Sequence, residues 1–529
     1  MRLRTGFTNP KRFWTMLLPL AALWIAGLAC SRADVSVTAA AVPTDLPTTE
    51  PTVLPTDPPV TPTPEPSPAA TVTPTPGQPE VPVSPTPPPT PTLIDESSPE
   101  TIVYQVQPGD TINSLSIRFA VLPEEIEATG GTLPDERSLL NQDQLLLIPR
   151  RLGPTGPAEK IIPDSEFVFS PHAVDFDPVA FARQHGGYLS NYQEYVHGDW
   201  HSGPEVVALA ARDNSVNPRL LLAMLEYMTG WVTDPARPTG DEFTYPLGHK
   251  DPETMGLFRQ LTWLANAMGE GYYSWRAGTL TEISFEDGTT VRLAPEINAG
   301  TAALQAFLAT EMEPRAWAEA VSPTGLAEVY RSFFGDPWQY QHPLFEPGVR
   351  QPEMILPFLP GHIWAFTGGP HGAWEREAAW AALDFAPPSV ESGCARSDEW
   401  VLAAAPGLVL RSGGGVVVLD LDGDGREQTG WVLIYLHIDS RGRVPAGSFV
   451  EQGDLIGHPS CEGGISTGTH VHIVRKYNGE WILADGPLPF EMSGWVARAG
   501  TKPYQGALVN GTDTILACPC ASSETYIIR

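Results

Sequence analysis

Gly468-Thr469-His470-Val471-His472-Ile473 decides how the C-terminal part of this chain is read. Successive side chains of a β-strand alternate faces, so His470 and His472 point the same way, roughly 6.5–7 Å apart along the backbone. Two imidazoles then line one cleft. A neutral imidazole can hold a metal while its neighbour changes charge near neutral pH, so one strand can supply both a ligand and a proton carrier. An isolated H-x-H is weak evidence, and its weight comes from what lies upstream.

Upstream stand Thr367-Gly368-Gly369-Pro370-His371 and Ala381-Ala382-Leu383-Asp384-Phe385, followed by Val432-Leu433-Ile434-Tyr435-Leu436-His437-Ile438, an apolar strand pattern ending in one polar ring. His371, Asp384 and a histidine of the pair would give zinc three protein ligands and an open fourth position. That is the arrangement of a catalytic site, since structural zinc sites are four-coordinate and closed.

From 354 to 508 the chain resembles a lysostaphin-type zinc endopeptidase, the LytM-like class that cuts peptide cross-links of bacterial cell walls. The usual class pattern is H-x-x-x-D followed by H-x-H. Here thirteen positions separate His371 from Asp384, and this spacing, with G-G-x-H and L-D-F around it, is similar to the beta-lytic branch. Gly453-Asp454-Leu455-Ile456-Gly457 and Ser466-Thr467-Gly468-Thr469-His470 resemble the glycine turns of the class. The resemblance implies one zinc per chain, held by His371, Asp384 and His472, with His437 and His470 as catalytic histidines. It also implies an all-β domain at 350–510, an antiparallel sheet with the duplicated hybrid motif of the class, followed by a C-terminal tail at 511–529. His362 and His458 match no ligand position and read as structural or surface residues.

Of five cysteines, Cys30 belongs to an export signal, leaving Cys394, Cys461, Cys518 and Cys520. An even number outside the membrane suits disulfides, and four cysteines allow three connectivities. Cys394 with Cys461 is the favoured pair, because Cys461 begins the loop before the H-x-H and a cross-link there would brace the site. Cys518 and Cys520 would then pair with each other or remain reactive.

At 529 residues and 42% hydrophobic content the chain has material for several cores. A formal charge of −30 argues against nucleic acid or an anionic membrane surface as electrostatic partner. Residues 1–30 carry basic residues, an apolar run and then Leu28-Ala29-Cys30-Ser31, resembling a bacterial lipoprotein box in which Cys30 is acylated. Gly27 stands where that pattern prefers Leu, and an uncleaved signal anchor is the alternative; either way the chain is membrane-held and the rest exported. Residues 31–98 are a Pro/Thr-rich segment that cannot bury a core and reads as a disordered, polyproline-like linker.

Residues 99–152, with the opening Y-x-V-x-x-G-D-T from Tyr104 and the close L-x-I-P at Pro149, resemble a LysM domain, a small α+β module that binds peptidoglycan-type glycans. The pattern predicts strand, helix, second helix, strand. Asp143 occupies a position where a turn glycine is common. Residues 160–345 read as a mainly helical domain. Asn217-Pro218 is a helix start, and the run from Leu220 to Met228 is apolar nearly all round except for Glu226. A buried carboxylate with a raised pKa is what a glycosidase acid needs, so Glu226 is a second candidate site beside the plainer reading of a structural Glu. Its surroundings faintly resemble lysozyme-like domains. Asp420, Asp422 and Asp424 alternate before glycine as in a calcium loop, but Trp431 stands where an EF-hand has its bidentate Glu, so a turn of solvated acids competes with Ca2+.

Taken together, these features predict an exported, lipid-anchored, multidomain peptidoglycan hydrolase working as a zinc endopeptidase. The rivals are an inactive wall-binding regulator and a glycan-cleaving enzyme acting through the helical domain.

Overall fold

Val432 to Leu436 has no exposed side on either face, and the reason is a sheet buried from both directions. The computed structural model describes residues 101–374, 379–389, 391–520 and 522–529. The export segment, the Pro/Thr-rich linker and Cys30 lie outside the described residues.

The sheet is antiparallel. Its strands run in the order Phe449–Val450, Gly407–Gly413, Val416–Asp420, Trp431–Leu436, Val471–Tyr477, Trp380–Ala386, Ile363–Gly372 and Tyr526–Ile528, with Glu480–Trp481 paired to Val471–Tyr477. Alternation along the central strands sorts their residues onto two cores. Leu433, Tyr435 and Ile473 pack with Phe358, Trp364 and Phe385. Val432, Ile434, Leu436 and Val474 face the other way and share one apolar core with the helical block. Strands covered on both faces read as continuous apolar runs.

The helical block is built from Gly203–Asn214, Pro218–Thr229, Leu257–Ala277, Ala299–Glu311, Pro314–Ala320 and Leu326–Phe334, with shorter turns and two hairpins between them. Asn217 caps its helix by accepting from the Arg219 N–H, with Pro218 next in the chain. Gly230 ends that helix in the left-handed region. The Asn478-Gly479 turn after Val471–Tyr477 docks into this block. A Cβ on Gly479 would lie 2.1 Å from Phe169 O, so only glycine permits the approach. Ser215 donates to Gly479 O at 2.6 Å, and Glu480 accepts from Tyr272 and Arg276, each at 2.9 Å.

The small N-terminal module pairs Thr101–Gln105 with Leu145–Pro149 and adds the short strand Glu127–Ala128, with the helix Ile112–Phe119 packed on them. Its opening motif is a hydrogen-bond device: Asp110 accepts from the Tyr104 hydroxyl at 2.6 Å and the Gln107 N–H at 2.8 Å and pairs with Arg118, while Thr111 caps the helix. Asp143 adopts φ 67°, the left-handed conformation that favours glycine. Of the expected second helix, the described residues show a single 3-10 turn, Pro123–Glu125. Residues 130–144 hold Gly130, Gly131 and Pro134, and their backbone bonds go to the opposite loop, Asn113 N–H to Glu136 O and Leu140 N–H to Asp110 O.

The segment 511–529 is more than a tail. Asp513–Leu516 pairs with Gly506–Asn510, and Tyr526–Ile528 joins the edge of the main sheet, Ile527 opposite Trp364.

Candidate metal centre

Asp384 and His472 face each other across neighbouring antiparallel strands, and His371 lies on the next strand out. The strand carrying His371 shifts register between Phe366 and Gly368 and again between Gly368 and His371, so His371 falls opposite Ala382. These bulges use the double glycine. A Cβ at Gly369 would lie 2.5 Å from Gln505 O.

The result is a triangle of ligand-type atoms. His371 Nε2 is 3.1 Å from His472 Nδ1, and Asp384 Oδ1 is 3.3 Å from each of them. Each imidazole has its other nitrogen fixed by main chain: His371 Nδ1 bonds Gly369 O at 2.8 Å and His472 Nε2 bonds Ala373 O at 2.9 Å. With those nitrogens donating, Nε2 of His371 and Nδ1 of His472 are left as lone-pair donors to a metal. Asp384 Oδ1 is buried with no hydrogen-bond donor. Burial raises the Asp384 pKa, but the neighbouring His371 and His470 prevail and hold it well below the carboxylate range. A buried anion lacking a donor, facing two imidazole lone pairs, is a cation site. Ligands about 2.0–2.1 Å from a tetrahedral zinc stand about 3.3 Å apart, which matches the triangle, so the residues present fit zinc.

His437 and His470 stand beside this triangle with ring centroids 4.4 Å apart, and His470 Nε2 is 3.7 Å from Asp384 Oδ1. Both use Nδ1 to hold main chain, His437 to Glu462 O at 2.9 Å and His470 to Gly468 O at 2.7 Å. Their Nε2 atoms are therefore the ones presented to the centre. His437 leaves its strand at φ 64°, a conformation rare for non-glycine residues, and its carbonyl accepts from both the N–H (2.7 Å) and the hydroxyl (3.0 Å) of Ser460. Burial and the nearby His470 and His472 push the His437 pKa down to about 3, so the ring is neutral at ordinary pH.

Cys394 and Cys461 are bonded, as are Cys518 and Cys520. The first cross-link ties the 393–395 loop to the approach of the H-x-H, where Thr469 donates its N–H to Gly393 O and its hydroxyl to Ala395 O. His362 and His458 lie apart from the centre, both bonded to Glu399, at its carboxylate and its carbonyl respectively. Tyr504 stacks on His371 at 4.1 Å between ring centroids. No spacing in Pro503-Tyr504-Gln505 signals this contact.

Glu226 is half-buried at the end of its helix, where its carboxylate accepts the Val232 and Thr233 N–H groups at 3.1 Å and the Thr233 hydroxyl at 2.5 Å. It closes the turn after the helix, as the plainer structural reading expects. The carboxylates of Asp420, Asp422 and Asp424 gather within 4.8 Å. They are committed to their own loop, however. Asp420 accepts from the Asp422, Gly423 and Gly425 N–H groups, Asp422 from Asp424, and Asp424 from Arg426 and Thr429. Nothing beyond that grouping supports calcium here.

Among known proteins, residues 160–346, less than half of the chain, match the family model described as LasA, N-terminal domain. That match spans the helical block. No curated protein sequence matches. Several of the structural neighbours are described as M23 proteins. The deep-sea M23 metalloprotease pseudoalterin is 22% identical, covering 34% of this chain and 99% of its own, at a TM-score of 0.27. The catalytic domain of lysostaphin from Staphylococcus simulans is 22% identical, covering 23% of this chain and 89% of its own, at 0.17. A zinc-containing peptidase from Vibrio cholerae is 16% identical, covering 27% of this chain and 41% of its own, at 0.19.

Proposed function

We propose that this protein is an exported, membrane-anchored peptidoglycan hydrolase whose C-terminal domain is a zinc-dependent endopeptidase cutting wall peptide cross-links. The observation that carries this reading is the triangle His371, Asp384 and His472, whose carboxylate oxygen is buried without any donor. A complete ligand set with two further imidazoles beside it disfavours an inactive regulator. The small module, acting as a glycan binder, would hold the enzyme to its polymer. The match of residues 160–346 to the LasA N-terminal domain is consistent with this assignment.

His371 Nε2, Asp384 Oδ1 and His472 Nδ1 would hold the metal. Zinc bound there supplies Lewis-acid polarisation of the scissile carbonyl and acidifies a water. The chain's own work is proton handling. His437, neutral and fixed through Nδ1, offers Nε2 as a hydrogen-bond partner to the developing oxyanion or as acceptor of a proton. His470 Nε2, beside Asp384, carries a proton towards the leaving amine.

Purified peptidoglycan digested with the soluble part, with products identified by mass, tests the reading. New free amines that disappear on zinc removal are expected. Reducing sugars without free amines would instead assign the chemistry to glycan cleavage.

A further inference from the structure

The carbonyl that orients His472 belongs to Ala373. Ala373 lies one residue beyond the end of Ile363–Gly372, past the last register pair, Gly372 with Trp380, among the described residues. Yet its oxygen holds His472 Nε2 at 2.9 Å, leaving Nδ1 for the metal. Such orienting acceptors must be immobile to be useful.

What immobilises this one comes from the helical block. Ala373 is fully buried in the apolar core that the block shares with the sheet, and Trp374 packs against the same core. Trp374 stands around a void of about 10 Å³ with Phe167, Asn214, Ala265, Gly269, Tyr273 and Trp481. All of these except Trp481 belong to the block, and Trp481 donates from Nε1 to Asn214 O at 3.2 Å. One end of the Ala373–Trp374 step is therefore on His472 and the other, half-buried, packs against the core shared with the helices.

We propose that Trp374 is a positioning residue for the metal centre, through which the helical block sets the orientation of His472. The proposal rests on the zinc-peptidase reading. Truncating Trp374 frees the Ala373 carbonyl to turn, the imidazole follows, and the ligand triangle opens. The block is then part of the metal site's support, although none of its residues is a ligand.

The test uses the full chain and its Trp374→Ala, Trp374→Phe and Gly269→Leu variants. Gly269 lines the same void as Trp374 and has nothing within 4 Å of an added Cβ, so a leucine there is expected to overfill the void and press on its lining. Zinc affinity is measured by chelator competition, coordination by the visible spectrum of the cobalt-substituted protein, and folding by thermal unfolding of the metal-free form. Trp374→Ala is expected to bind zinc about 10–100-fold more weakly with an altered cobalt band, and Trp374→Phe to recover most of both. A folded Trp374→Ala protein with wild-type affinity and spectrum overturns the proposal. Should that variant not fold, folded Gly269→Leu decides: weakened binding supports the proposal and wild-type binding overturns it. A wild-type chain that binds neither metal overturns the metallopeptidase reading as well, whereas metal-binding wild type with an indifferent variant overturns this proposal alone.

Discussion

Gly368 lies opposite Asp384 in the sheet, and a methyl group at Gly368 would stand 2.4 Å from Asp384 Oδ2. The missing side chain at Gly368 is the space that the Asp384 carboxylate occupies. Gly368→Ala is expected to displace Asp384 and cut zinc affinity by about tenfold or more, with overpacking costing about 1–3 kcal/mol of stability. Gly413→Ala, where an added Cβ meets nothing within 4 Å, is the control. Equal zinc titrations for the two variants would show that Asp384 does not need the space.

Asp384 itself separates charge from shape. Asp384→Asn keeps the side-chain volume but removes the anion that two imidazoles surround. Zinc content after dialysis is expected to fall from one per chain to near none. Retained metal in that variant would remove the carboxylate from the site.

The two further histidines should divide from the ligands by what they leave intact. His437→Ala and His470→Ala are expected to keep zinc while peptide-bond hydrolysis drops by about 10²-fold or more, the range for acid–base groups. His472→Ala is expected to lose both. Zinc loss in His470→Ala with zinc kept in His472→Ala would mean the two roles are exchanged.

Lys476 gives a pH dependence with a definite sign. Its ammonium is buried, 3.7 Å from Glu427 Oε2 and 4.6 Å above the Trp481 ring, and burial lowers its pKa to about 8. The unfolded chain keeps that proton up to about pH 10.4, so it binds more protons between these limits, and stability from this group rises with pH there. The contribution is fully present above the unfolded value and lost as pH falls through about 8, amounting to at most ~3 kcal/mol. Denaturant unfolding of wild type and Lys476→Met at pH 8 and pH 10 should show the rise in the first and its loss in the second. Parallel curves would count against it.

The grouping of His371, Asp384 and His472 was legible because part of its signal is local. Alternation puts His470 and His472 on one face, and residue type suggests what such a face can hold. What stayed illegible depends on pairing between distant segments. Nothing near Tyr526 announces that it will lie opposite Ala365, and nothing in Trp374 announces a seat among helices far back in the chain. Glu226 misled for a related reason. An apolar helix predicts burial for its whole length, but the chain turns at Gly230 and brings the Val232 and Thr233 amides back to the carboxylate. In the small module, Gly130, Gly131 and Pro134 outweighed the helix expected from the overall pattern.

The core shared by sheet and helices bears on how this protein can be cut into pieces. Val432, Ile434, Leu436 and Val474 are buried in the core that the sheet shares with the helical block. A fragment that begins after the block would carry this greasy wall uncovered into solution, and bare walls of that kind find one another. Its poor recovery would then say nothing about the metal centre. The protein should be handled from residue 101 onward as one piece, with its solubility owed to the helices.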